Sequence, residues 1–94
     1  MKRYQVSWDM VRRWIKEQGN QLRACHRDRL SEFTTAILEI DHYLACTPLS
    51  FGEPHFNYKH LGLTICIAFR GPLVVHYGVN KKNKTVYVSG LDWR

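Results

Sequence analysis

The stretch that decides the fold is "GPLVVHYGVNKKNKTVYVSG", Gly71 to Gly90. Two runs of alternating β-formers flank a cluster of lysines and asparagines, the pattern of a hairpin with one buried face and a solvated turn. Leu73, Val75, Tyr77 and Val79 share the inward face with Val86 and Val88, while Val74, His76, Tyr87 and Ser89 point the opposite way. A small basic protein that leaves one side of a sheet open offers a binding platform there, and His76 and Tyr87 are its first candidate residues.

Immediately upstream, "LTICIAF" at 63–69 predicts a buried strand, with Ile65, Ile67 and Phe69 on one face and Cys66, Ala68 and Arg70 on the other. Gly71-Pro72 turns the chain into the hairpin. Before that strand, "TPLSFGEPHFNYKHLG" holds two prolines and two glycines and reads as a loop. Its aromatics Phe51, Phe56 and Tyr58 are expected to pack back on the domain or line a groove, and Lys59 and His60 are placed to meet phosphates.

Further upstream, Leu30, Phe33, Ile37, Ile40 and Leu44 recur at steps of three and four, which predicts a helix from Leu22 to Cys46 stopped by Pro48. Its first half carries Arg23, Arg27 and Arg29 and its second half Glu32, Glu39 and Asp41. That order opposes the helix dipole and suggests that the basic end is kept for contacts. A first helix is expected from Met10 to Gln18, capped by Asp9 and ended at Gly19-Asn20. "YQVSW" at 4–8 alternates as a half-buried strand. The expectation is an α+β fold in a single domain, 1–94, ordered strand-helix-helix-strand-strand-strand, with an antiparallel sheet and a helical hairpin on one of its faces.

At 94 residues there is room for one modest core, so any site is a surface groove. A net charge of +6 favours polyanions, either nucleic acid or an acidic protein. The apolar run "LGLTICIAF" falls short of the roughly 20 residues of a membrane helix. The basic start "MKRYQVSWDM" lacks the apolar core of a secretory signal, so a cytoplasmic location without a membrane partner is expected. Three cysteines, Cys25, Cys46 and Cys66, show no metal-ligand spacing and read as reduced structural thiols; no metal or organic cofactor is expected.

Taken together, "YQVSW", "IDHYLACTPLSFGEP" and "FRGPLVVHYGVNKKNKTVYVSGLDW" resemble the RelE/ParE superfamily of toxins from bacterial type II toxin-antitoxin systems. The resemblance implies a cognate antitoxin as partner and either ribosome-bound messenger RNA or DNA gyrase as target. RNA-cutting members carry lysines and arginines on the open face of the central strands; the matching positions here look like Cys66, Ala68 and Val74, which hold neither charge nor a useful proton. Arg94 answers to a late arginine and Arg70 to a basic strand end.

A remade catalytic site would then use His76 as acid or base. In it, Arg70 and Arg94 would clamp phosphate and Tyr87 would stack on a base. Lys59, His60, Arg23, Arg27, Lys81 and Lys82 are the candidate nucleic-acid contacts. Three expectations follow: a messenger RNA endoribonuclease with a depleted or remade site, a non-enzymatic ParE-like gyrase inhibitor, or a non-toxic binding module that keeps the fold.

Overall fold

The computed structural model describes residues 3–94. Along the chain run β1 (Gln5–Ser7), α1 (Arg12–Cys25), α2 (Arg27–Cys46), a one-turn α3 (Pro48–Phe51), β2 (Glu53–Tyr58), a 3-10 turn (Lys59–Leu61), β3 (Leu63–Arg70), β4 (Leu73–Asn80) and β5 (Thr85–Trp93). The five strands form one sheet in the order β1-β5-β4-β3-β2. The hairpin is built as its alternation requires, Leu73 opposite Trp93 and Asn80 opposite Thr85, with one bulge that leaves Ser89 over between Val88 and Gly90.

The α+β class holds, but the sheet is mixed. β1 lies parallel to β5, Val6 beside Val86, while the other pairs are antiparallel. Antiparallel pairing is forced only where a short turn joins consecutive strands. β1 is separated from β5 along the chain by the helices and three further strands, so no short turn dictates their relative direction.

The segment read as a loop holds a fifth strand. β2 pairs with β3 from Glu53 opposite Ile67 to Tyr58 opposite Leu63, with a register shift between Pro54 and Phe56. Proline lacks an N–H, which an edge strand with a bulge tolerates, so Pro54 hid a strand that composition alone assigned to a loop.

Three helix ends also move, both ends of α1 and the start of α2, which begins at Arg27. α1 starts after Val11, and Asp9 does not cap it; its carboxylate accepts from Arg12 at 2.6 Å. α1 then runs through Gly19 to Cys25, and Leu22 belongs to it rather than to α2. A mid-helix glycine costs about 1 kcal/mol, less than the burial of Leu22 and the packing of Trp14 and Ile15 against the core return.

The two helices cover one face of the sheet. Phe33, Ala36, Ile40 and Leu44 of α2 meet Leu73, Val75, Tyr77, Val79, Val86 and Val88 in one buried cluster. Each fully buried aliphatic or aromatic side chain there contributes about 1.5–3 kcal/mol. Tyr77 keeps its hydroxyl satisfied inside this core by donating to the Pro48 carbonyl at 2.6 Å, while its ring stacks with Phe51. Gly52 must be glycine at the same junction, since a Cβ would lie 2.7 Å from the Ile67 carbonyl oxygen and 2.7 Å from the Tyr77 hydroxyl.

The tryptophans are partly buried and pack against the edge of the core. Trp8 donates to Asp41 at 2.8 Å, and Trp93 donates to Gln18 at 2.8 Å beside Trp14 and Phe33. The cysteines are free; Cys66 is buried, whereas Cys25 is exposed and has no packing role of the kind expected for it. Burial pushes the Cys66 thiol pKa up. Among the described residues, no helix is long and apolar enough to cross a membrane.

Candidate functional site

Strand register places the residues of the open face. Ile65 lies beside Gly78, Ile67 beside His76 and Phe69 beside Val74. Across β4, His76 faces Gly90 and Gly78 faces Tyr87. On the outer side, Phe56 joins Ile65 and Tyr58 joins Leu63. Gly78 lets this layer close down, because a Cβ there would stand 3.1 Å from Leu63 and 3.3 Å from Ile65.

The open face is therefore apolar, not the cationic surface that the net charge had suggested. Phe69 is 57% exposed, Phe56 55% and Tyr87 40%, with Leu63, Ile65, Ile67 and Val74 half-buried between them. Among the described residues, no helix or loop covers this row, and uncovered apolar area of this kind marks an interaction surface.

β3 explains the reversal. Alternation correctly separates Ile65, Ile67 and Phe69 from Cys66, Ala68 and Arg70, but the smaller set faces the helices and the larger one faces outward. Small residues on both partners let α2 approach closely: Ala36 and Ala68 are both buried, and Gly71 would bring a Cβ within 3.5 Å of Ala36. Cys66 and Ala68, matched to open-face positions, are thus core residues, and of the three only Val74 belongs to the open face.

Arg70 goes with them. It lies on the helix side, where its guanidinium donates to Glu39 at 2.6 Å and stands 5.1 Å from the Tyr43 ring centre. The Arg70 hydrogen bond holds the Glu39 carboxyl below its ordinary pKa, and Glu39 in turn raises Arg70. Arg70 cannot clamp a phosphate beside His76, since the sheet separates them.

The other three members of the expected catalytic set do share the open face. His76 is central, Tyr87 is its diagonal neighbour through Gly78, and Arg94 reaches the far end with its guanidinium 5.5 Å from the Phe69 ring centre. The Arg94 backbone N–H donates to the Pro72 carbonyl at 2.9 Å, which anchors that end. Ser89, the bulged residue, donates to the His76 carbonyl at 3.2 Å and fixes the strand at the histidine.

The expected nucleic-acid contacts divide between two ends of the molecule. Lys59, Lys81 and Lys82 line one groove with Asn57 and Thr64, and His60 sits against the Tyr58 ring at 6.3 Å. Arg23 and Arg27 lie at the α1–α2 corner, Arg27 donating to the Arg23 carbonyl at 3.1 Å. Nearby, Arg29 stands 5.5 Å from the ring centre of Trp93 at the far end of β5. A strand of β5's length spans roughly 30 Å, so the two cationic groups do not form one surface.

Sequence reasoning singled out Phe56 as an aromatic that packs or lines a groove but missed the other apolar residues of the open face, Ile65, Ile67 and Phe69. The available signal was a strand apolar on both faces next to a helix with alanines in its packing stripe. No family model matches the chain, and comparison with curated proteins and with solved structures finds no match. The class defined by the fold is an α+β domain with helices against a five-stranded mixed sheet.

Proposed function

We propose that this chain is the toxin of a type II toxin-antitoxin pair of the RelE/ParE kind, and that it acts by docking its open sheet face on a protein target rather than by cutting RNA. One observation carries this reading: the face left free by the helices is lined by Ile65, Ile67, Phe69, Val74 and Tyr87, while Arg70 is engaged by Glu39 on the opposite side. Phosphodiester cleavage needs charge stabilisation at the reacting phosphate together with proton transfer. An apolar row instead supplies the desolvated anchors of a protein interface. DNA gyrase is the protein target that the resemblance supplies. The net charge of +6 suits an acidic antitoxin segment that silences the toxin by covering it.

A second reading, the messenger RNA endoribonuclease, draws on His76, Tyr87 and Arg94 lying on one face. The two separate in one experiment. Induced expression is expected to arrest growth and change plasmid supercoiling while messenger RNA stays intact, and Ile67→Asp, which puts a charge in the middle of the face, is expected to abolish both effects. Messenger RNA cleavage that is lost in His76→Ala would replace this reading with the endoribonuclease. Growth unaffected by the wild-type chain would leave the binding module.

A further inference from the structure

Between Glu53 and Asp92 the chain carries no carboxylate, yet it carries Lys59, Arg70, Lys81, Lys82 and Lys84. With Arg70 neutralised by Glu39, the uncompensated charge of this half of the molecule gathers at the end of the sheet where the β2–β3 and β4–β5 connections meet. There Lys59, Lys81 and Lys82 line a groove of about 430 Å³ with Asn57, Gly62 and Thr64, and no carboxylate enters it. None of the ion pairs among the described residues uses these lysines.

The groove is held in shape by its own backbone. Gly62 takes a φ of +63°, which turns the chain from the 3-10 segment into β3. On the other connection, the Asn80 side chain accepts the backbone N–H groups of Lys82 at 3.0 Å and Asn83 at 3.2 Å. The lysines thus project from two fixed turns.

The opposite face of the same edge strand is aromatic. Asn57, paired with Thr64, points toward the groove, whereas Phe56 and Tyr58 point to the open face. Their rings lie 4.6 Å apart, and His60 meets Tyr58 edge-on. Because β2 is the last strand of the sheet, only its own width separates the lysine groove from the aromatic pair. A positive groove beside exposed rings is the arrangement that holds unpaired nucleotides, with phosphates on the cations and bases on the π-faces.

We propose that this end of the sheet is a binding site for single-stranded nucleic acid, the backbone lying along Lys59, Lys81 and Lys82 and the bases folding over the β2 edge onto Phe56 and Tyr58. The rings lie at the β2 edge of the open face, where Phe56 adjoins Ile65, while the lysines lie outside that face, and the proposal does not rest on what docks at its middle. A duplex keeps its bases stacked inside and gains only the lysines, and an acidic peptide finds no use for the rings.

The test is the binding of a fluorescein-labelled single-stranded oligouridylate to the intact protein, followed by anisotropy across a salt series. Three phosphate contacts predict a slope of log K against log salt of about −2. Lys81→Ala/Lys82→Ala is expected to reduce the steepness by roughly 1.4. Tyr58→Ala is expected to weaken binding by about tenfold or more while leaving the slope unchanged. Both alter exposed residues, and unchanged thermal unfolding checks that they fold. Duplex of the same length binding as tightly, poly-glutamate competing equally well, or lysine and tyrosine variants that bind like the wild type would each overturn the proposal.

Discussion

The two faces of the sheet are made from nearly the same amino acids and do opposite things. On one, Cys66, Ala68, Val75, Tyr77, Val79, Val86 and Val88 are buried under α1 and α2. On the other, Ile65, Ile67, Phe69, Val74 and Tyr87 stay partly or largely exposed. Hydrophobicity did not choose between them, since β3 puts its larger apolar residues outside. Fit did: a helix approaches a strand closely where side chains are small, and Ala36 beside Gly71, with Ala68 buried in the same cluster, provides that closeness. The covered face therefore holds the fold together, and the uncovered face is left available for a partner.

The sharpest way to break this comparison is to remove bulk from each face. Leu44→Ala is expected to cost about 2–5 kcal/mol, because the side chain is fully buried and leaves a cavity. Phe69→Ser on the open face is expected to stay within about 0.5 kcal/mol of the wild type. Urea unfolding of both variants checks the pair, and equal losses would mean that the two faces do not differ in the way described.

A smaller effect is expected from Tyr77→Phe. This change keeps the ring but removes the hydroxyl that donates to Pro48, leaving a buried carbonyl unpartnered at a cost of about 1–3 kcal/mol. Thermal unfolding should show the loss, together with loosening around Gly52 and the start of β2 in hydrogen exchange.

The smallest change belongs to Arg70→Gln. Glu39 has its pKa lowered in the folded protein, chiefly by the Arg70 hydrogen bond. Its contribution to stability is thus present above the carboxylate's unfolded value and is lost as pH falls through the folded one. The variant is expected to melt slightly below the wild type near neutrality and to match it in acid. Melting temperatures measured across the acidic range test this, and a variant that also lost RNA or target binding would return Arg70 to the functional surface.

Much of the fold was readable because periodicity survives context. The β4–β5 hairpin and its inward set needed only a period of two and a solvated turn, and the α2 stripe from Leu30 to Leu44 needed only a period of three to four. β2 was hidden because Pro54 and the neighbouring glycine and histidines look like loop chemistry until an edge position and a bulge accommodate them. The end of α1 was hidden because Gly19 stops an isolated helix but not one anchored by Leu22. The candidate site divided in the same way. Alternation put His76 and Tyr87 together, and Arg94 joined them, but Arg70 was assigned to the wrong side because alternation separates two faces without saying which of them is covered.

Sequence alone determined the types of β1, of the two long helices and of β3 to β5, the pairing partners of the hairpin, the excess of positive charge and the two sets of side chains on β3, β4 and β5, since all of these follow from local spacing and composition. Tertiary structure decided which set faced the helices, where β1 and β2 joined the sheet, and that Arg70 met Glu39 while three lysines shared a groove. The physical reason is that those outcomes depend on shape and distance between segments far apart in the chain, and no local pattern encodes how closely a helix can approach a strand.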